Sequence, residues 1–170
     1  MDFVMITFKR AQVEDLPLIK QLAEIAFPQT YNSMLPDGQV EYMMEWMYSM
    51  ESLLNQVNEQ GHIYYLVYYK GEAAGYFSLQ HQGNWVWHLH RLYLLQKFQK
   101  LAVGKEMVKR AVEHIRANSQ LPARMELNVN RENPAVGFYT KMGMYKASQG
   151  DFPIGNGFFM TDYIMALDII

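Results

Sequence analysis

The sequence of 170 residues contains no cysteine. Disulfide bonds, a cysteine nucleophile and zinc sites built on thiolates are therefore excluded from its chemistry. No apolar run approaches the roughly 18 residues that a membrane-spanning helix needs, and the first residues lack the basic segment that opens a secretory signal. We expect a protein of the cytoplasm that does not associate with a membrane.

The chain also lacks a strong net charge. Its 15 Lys and Arg residues oppose 17 Asp and Glu residues, which gives a formal net charge of −2. Because nucleic-acid-binding domains usually carry a basic surface, we expect no nucleic-acid partner. Half of the residues are apolar, and no repeat or linker interrupts the sequence. We therefore expect a single domain over residues 1–170, with a buried core.

The apolar pattern predicts a mixed α/β domain. Period-two or β-branched runs predict strands over residues 3–10, 63–69, 73–80, 85–95, 124–130, 144–148 and 158–167. Apolar residues at helical spacing predict helices from Val13 to Pro28, over 42–57, over 103–115 and over 134–142. Proline should end the first helix, and loops are predicted over 29–38 and 150–157. Strands joined by tight turns favour a mostly antiparallel sheet of about seven strands flanked by helices.

Residues 92–105 carry the clearest functional signal. Leu92–Leu95 read as the end of a strand, and the short loop 99–104 then opens a helix. Such a loop directs several free backbone N–H groups and the positive end of a helix dipole toward one point, where phosphate binds. About thirty residues later, a predicted short helix carries the hydroxyl of Tyr139. The two segments together predict a pyrophosphate-bearing cofactor and a proton donor.

Both segments resemble signatures of the GCN5-related N-acetyltransferase (GNAT) family. The family loop is Gln/Arg-x-x-Gly-x-Gly/Ala, and here it reads Gln-Lys-Leu-Ala-Val-Gly, with Ala102 at the first glycine. The family's Asn-x-x-Ala-x-x-Phe-Tyr-x-Lys-x-Gly-Phe matches residues 133–144, with Gly137 and Met144 as departures. Segments 6–11 and 162–165 are also similar to the family, so the resemblance spans nearly the whole chain.

The resemblance implies a GNAT-type fold, splayed at its central strands, and an enzyme that uses acetyl-CoA as cosubstrate without a metal. The implied activity moves an acetyl group to a primary amine by direct attack in a ternary complex. Residues 27–31 are similar to the branch that contains polyamine and small-amine acetyltransferases. The alternatives are a protein or peptide N-acetyltransferase, acting on an N-terminus or lysine, and a non-catalytic acyl-CoA-binding module. A monomer and a homodimer are both compatible with the sequence.

The resemblance also implies which residues bind the cofactor. They are Leu92, Tyr93, Leu94, Gln99, Lys100, Leu101, Ala102, Val103, Gly104, Lys105, Asn130, Asn133, Tyr139 and Lys141. The Leu94 amide is expected to face the oxyanion, and Leu92 and Tyr93 to line the acetyl–pantetheine arm. Ala102 replaces the glycine without difficulty if its φ is negative. Asn133 either binds the cofactor arm or caps the short helix, and Lys141 either reaches a phosphate or is solvated.

Tyr139 is the implied general acid. A phenol titrates near pH 10 and a thiol near 8.5, so return of a proton to a thiolate is feasible when the two are in contact. A purely structural, hydrogen-bonded tyrosine is the alternative.

For the base, relatives commonly carry a glutamate in a Glu-Leu-His-Arg context, where this chain has His88-Leu89-His90-Arg91. His88 is therefore the candidate base and a substrate-binding residue, because imidazole accepts a proton near neutral pH. A structural role for this histidine stays open, and His90, Glu126 and His81 are lesser candidates. Tyr31 is expected to contribute to the acceptor site.

Overall fold

The computed structural model describes residues 5–170, so the predicted strand residues Phe3 and Val4 lie outside the described part. Within it, seven strands form one sheet: β1 Ile6–Arg10, β2 Ile63–Tyr69, β3 Glu72–His81, β4 Val86–Leu94, β5 Ala123–Asn130, β6 Tyr145–Gly155 and β7 Phe158–Ile169. Their order is β1-β2-β3-β4-β5-β7-β6. All neighbours are antiparallel except β4 and β5, which are parallel. The predicted mostly antiparallel seven-stranded sheet is confirmed.

Five α-helices cover the two faces of the sheet in the described residues: α1 Leu16–Tyr31, α2 Gln39–Tyr48, α3 Met50–Asn58, α4 Val103–Asn118 and α5 Ala135–Lys141. Helices α1–α3 bury their apolar faces with β2 and β3 in one core. Helices α4 and α5 pack on the opposite face in a second core. None of the helices of residues 5–170 has the length and apolarity needed to cross a membrane.

The sheet opens between β4 and β5. These parallel strands pair only through Val86–His88 with Arg124–Glu126 and diverge beyond that point. On its other edge β4 stays paired with β3, but the register shifts so that Ser78 faces Arg91 while Leu79 faces Leu89. His90 is therefore an extra residue, a β-bulge that bends the strand. The predicted splay of the central strands is confirmed.

The expectation that Pro28 ends the first helix is wrong, because α1 continues to Tyr31 with Pro28 inside it. Because proline has no N–H, the carbonyl of Glu24 loses its helical donor. Glu24 is exposed, so water can replace that donor. Phe27 is fully buried next to the proline, and Asn32 N donates to the Pro28 carbonyl at 2.9 Å. Burial of the last turn therefore outweighs the local cost of the proline.

Two other boundaries differ from the predicted ones. The helical stretch over 42–57 is two helices, because Ser49 adopts an extended conformation and its Oγ accepts from Ser52 N at 3.1 Å, capping α3. The predicted loop over 150–157 is mostly strand, since β6 runs to Gly155 and turns at Asn156-Gly157 into β7. The segment is a strand, despite its Gly and Pro residues, because it pairs with β7, the next strand along the chain.

Candidate active site

The loop between β4 and α4 has an unusual backbone. Lys100 and Ala102 both adopt left-handed conformations, with φ of 69° and 62°. The expectation of a negative φ at Ala102 is therefore wrong. Left-handed geometry costs an L-residue roughly 1–2 kcal/mol, and left-handed residues in a turn are typical of loops whose successive amides bind an anion. Packing of β4 and α4 on either side of the loop, with Val103 buried, holds Lys100 and Ala102 in this strained conformation.

Helix α4 begins directly at this loop. The Ala102 carbonyl accepts from Glu106 N at 3.3 Å, so the amides of the first helical turn have no acceptor within the helix. Val103 is buried and anchors the helix, whereas Lys100, Leu101, Ala102 and Lys105 are exposed. The result is an exposed, electropositive helix start suited to a phosphate group.

Neighbouring side chains restrict this helix start. A Cβ atom on Gly104 would lie 3.4 Å from the Phe138 ring of α5, so glycine permits close packing of the two helices. Gln99 is exposed, and its Nε2 donates to the Leu94 carbonyl at 3.4 Å. The loop is thus tied to the end of β4, next to the opening in the sheet.

The end of β4 offers a backbone donor to the opening. Leu95 N donates to Ala74 O at 2.9 Å, on the β3 side. Because alternate residues of a strand direct their amides to opposite edges, the Leu94 amide points away from β3 and toward the opening. The side chains of Leu92 and Leu94 pack into the core beneath α4. The Tyr93 side chain lies on the other face, with the α1–α3 core.

Helix α5 holds Tyr139 in a buried position, with 7% of its surface exposed. Burial, together with the neighbouring Tyr31 hydroxyl, raises the pKa of this phenol above its ordinary value. Tyr139 therefore keeps its proton at neutral pH. Asn133 forms a turn just before the helix, where its Oδ1 accepts from Ala135 N at 2.9 Å, and Lys141 is exposed at the last turn.

On the α1–α3 face the sheet and helices enclose a cavity of about 460 Å³, which we call the acceptor cavity. Its volume is in the range of small-molecule sites, roughly 300–1,000 Å³. It is lined mainly by polar side chains. They are Tyr31, Gln39, Ser52, Gln56, Gln60, His62, Gln80, His88, His90, Arg91, Tyr93, Asn128, Asn130 and Asp162, with Leu35, Met43, Trp46, Met47 and Met160 between them.

Three histidines form one wall of the acceptor cavity. The ring of His90 lies 4.5 Å from that of His62 and 4.4 Å from that of His88, between centroids. Burial, followed by the positive charge of Arg91, lowers the pKa of His88 to about 4, against a contact with Asn128 that acts in the other direction. Burial lowers the pKa of His62 to about 4 and of His90 to about 2. All three are neutral at pH 7.

The lesser candidates lie elsewhere. His81 is exposed, stacks against Trp85 and contacts Trp87 at a tilt, outside the cavity. Glu126 lies beside Arg124, with 3.1 Å between Oε2 and Nε, and does not line the cavity. His90 does line it, and its Nε2 lies 2.7 Å from Gln80 Oε1.

Two charged residues face the acceptor cavity. Asp162, on β7, is 2% exposed, and Asn128 Nδ2 donates to its Oδ2 at 3.3 Å. Burial raises the pKa of this carboxyl, while Asn128 and Arg131 act in the opposite direction. Arg91, on β4, places its guanidinium 5.9 Å from the centre of the Tyr48 ring. Among residues 5–170, no group of three His, Cys, Asp or Glu side chains is arranged to hold a metal ion.

Comparison with known proteins decides the family. Residues 20–144, most of the chain, match the family model described as "Acetyltransferase (GNAT) family". The chain belongs to the GNAT acetyltransferase family. It is therefore an acetyl-CoA-dependent N-acetyltransferase, as the two sequence signatures predicted.

Solved structures share the fold of this GNAT acetyltransferase. The PaiA N-acetyltransferase from Thermoplasma acidophilum, in complex with coenzyme A, is 24% identical with a TM-score of 0.73, covering 96% of this chain and 98% of that one. The ribosomal-protein-S18-alanine N-acetyltransferase from Escherichia coli is 17% identical with a TM-score of 0.72, covering 97% and 94%. A spermidine N-acetyltransferase mutant from Vibrio cholerae is 14% identical with a TM-score of 0.68, covering 98% and 95%. Proteins with these dissimilar acceptors share the fold, so the fold does not specify the acceptor.

The structure of this GNAT acetyltransferase brings His88 and Tyr31 together in the acceptor cavity, and places Asn130 there as well, although sequence reasoning assigned Asn130 to the cofactor. Sequence reasoning did not select His62, Arg91, Asn128 and Asp162, which also line the cavity. The one available signal was the family-like segment 162–165, which begins with Asp162.

Proposed function

We propose that this chain, acting as a single domain, transfers the acetyl group of acetyl-CoA to the primary amine of a small molecule held in the acceptor cavity. The observation that carries the proposal is the cavity itself: a pocket of about 460 Å³, lined mainly by polar side chains, that contains His88 and Tyr31. An acceptor in this pocket lies on the opposite side of β4 from the core that contains Leu92 and Leu94.

The residues present fit acetyl-CoA, which supplies an activated acetyl thioester. The amides of the loop from Lys100 to Lys105 suit the pyrophosphate, because left-handed residues such as Lys100 and Ala102 are typical of anion-binding loops and this loop lies at the start of α4. Gln99 is a polar neighbour of this loop. The Leu94 amide, directed into the opening between β4 and β5, is positioned to donate to the thioester carbonyl oxygen, and such donors contribute about 2.7–4 kcal/mol.

Tyr139 holds the proton for the departing thiol. Its raised pKa keeps the phenol protonated across the physiological range, which a donor requires. The Tyr139 side chain is buried in the core that α4 and α5 share, so packing restricts its movement.

His88 is the proposed proton acceptor. It lines the acceptor cavity and is neutral at pH 7, so its ring has a free lone pair. The difference between a pKa of 6.5 and one of about 4 corresponds to roughly 3 kcal/mol against the protonated ring. His88 is therefore a weak base, and a proton that it accepts must pass on rapidly to solvent or to a stronger base.

Thiol release measured with a panel of amines tests the proposal. Tyr139→Phe removes the proton donor and should lower kcat by about 10²–10⁴-fold while leaving coenzyme A binding by calorimetry unchanged. Tyr145→Phe is the matched control, since Tyr145 is 43% exposed on β6, and it should retain full activity. Full activity of the Tyr139→Phe enzyme would contradict the acid role.

Two other outcomes distinguish the alternatives. Turnover with peptides but with no small amine would identify a protein or peptide acetyltransferase. Tight binding of coenzyme A without turnover of any amine would identify a binding module. His88→Ala with an unchanged pH–rate profile would remove His88 from the mechanism.

A further inference from the structure

Arg91 occupies an unusual position in the acceptor cavity. Strand alternation alone would place His90 and Arg91 on opposite faces of the sheet, but the bulge at His90 lets both line the cavity. The Arg91 Nε atom is buried and has no hydrogen-bond partner. A buried N–H without a hydrogen-bond partner is costly, and the other donors of this half-buried guanidinium are available to a group bound in the cavity.

The groups that surround Arg91 do not neutralise it. His62, His88 and His90 are neutral at pH 7, and Arg91 itself lowers the pKa of each of them. The neighbouring side chains of Tyr48, Tyr64, Tyr76 and Tyr93 are phenols whose pKa values burial raises, so they too are uncharged. The guanidinium faces a polar but neutral wall.

Asp162 is the acidic residue that lines the cavity, and it does not serve as the counter-ion. Neither Arg91 nor Asp162 takes part in an ion pair among the described residues. Asp162 instead contacts Asn128 and influences the Tyr31 hydroxyl, which neighbours Tyr139. The cavity therefore contains one acidic and one basic side chain that are not paired with each other, and both act on the Tyr31 hydroxyl.

We propose that the acceptor is an amine that also bears a carboxylate, such as a free amino acid, with its carboxylate bound by Arg91 and its amine held near Asp162. The inference rests on the proposed function and names its substrate class. A guanidinium presents paired N–H donors that match a carboxylate. A polyamine would instead bring two or more positive charges into a cavity that offers one carboxylate and already contains Arg91.

The experiment compares matched acceptors that differ only in the carboxylate: lysine with cadaverine, ornithine with putrescine, and tyrosine with tyramine. Thiol release is measured with saturating acetyl-CoA. The expected result is a kcat/KM at least about ten-fold higher for at least one amino acid than for its decarboxylated partner, since a charge-assisted hydrogen bond contributes at least that much. Preference for the decarboxylated amines in every pair would overturn the proposal.

Variants separate recognition from a structural role. Arg91→Gln should lower kcat/KM for the amino acid by about ten-fold or more, through KM, with little change for the decarboxylated amine. Arg91→Lys should recover part of the loss, because it keeps the charge without the paired donors. Arg116→Gln, which alters an exposed arginine on α4 outside the cavity, is the control. Equal losses on both acceptors would show that Arg91 only supports the fold.

The wild-type comparison decides the question even if the Arg91 variants unfold. Failure of coenzyme A to bind in calorimetry would refute the proposed function itself. Normal coenzyme A binding and turnover of a decarboxylated amine, with neither acetylation nor binding of any amino acid in the panel, would refute the substrate class alone.

Discussion

Lowering the pH from 7.5 to 5 should destabilise this protein through the histidines of the acceptor cavity. The folded state lowers the pKa of His62 and of His88 to about 4. Between pH 6.5 and pH 4 the unfolded chain consequently binds more protons at these residues than the folded chain does. Their contribution to stability is thus fully present above pH 6.5 and is lost as the pH falls through this window.

The magnitude follows from the two pKa values. For a histidine that titrates near 6.5 unfolded and near 4 folded, the loss at pH 5 is about 2 kcal/mol, and it approaches roughly 3 kcal/mol below pH 4. Other groups near the cluster act differently. Asp162 has a raised pKa, so its protonation on acidification partly offsets the loss. Arg91 keeps its charge throughout the window.

Urea unfolding followed by circular dichroism at pH 7.5 and pH 5 measures the effect. His88→Gln cannot titrate, so its free energy of unfolding should fall by about 2 kcal/mol less than that of the wild type over this interval. His81→Gln, at an exposed position outside the cavity, is the control and should behave as the wild type. An identical pH dependence in His88→Gln and wild type would refute the reasoning.

The backbone of the site provides further predictions. Ala102→Gly should relieve the left-handed strain and stabilise the protein by up to about 1 kcal/mol, with coenzyme A affinity retained or improved; a loss of stability by urea unfolding would contradict this. Gly75→Ala should destabilise by about 1–3 kcal/mol and raise the KM for acetyl-CoA, because its Cβ would meet the Tyr93 carbonyl oxygen at the end of β4. Gly137→Ala, where a Cβ meets nothing within 4 Å in α5, is its control and should stabilise by about 0.5–1 kcal/mol. An unaffected Gly75→Ala enzyme would show that β3 and β4 can separate at this point.

The sequence alone was sufficient for the elements whose signals are local. Period-two and β-branched runs located all seven strands, and the apolar stripe over 103–115 located α4, because both signals depend on short stretches of chain. The two signatures identified the family, since both depend on short stretches of chain. The prediction that Pro28 ends the first helix was wrong because the free-energy cost of proline is local. The burial of Phe27, which outweighs that cost, depends on tertiary packing.

The tertiary structure alone decided how the acceptor cavity is composed. His62, His88 and Asp162 are far apart in sequence and meet because strand order places β7 beside β5 and the helices close over one face. The bulge at His90 changed the face on which Arg91 lies, and no period in the sequence marks it. Charge state and exposure at these positions depend on which distant groups surround them. Strand pairing between distant parts of the chain thus sets the chemistry of the cavity, whereas the local sequence pattern sets the helices and strands that surround it.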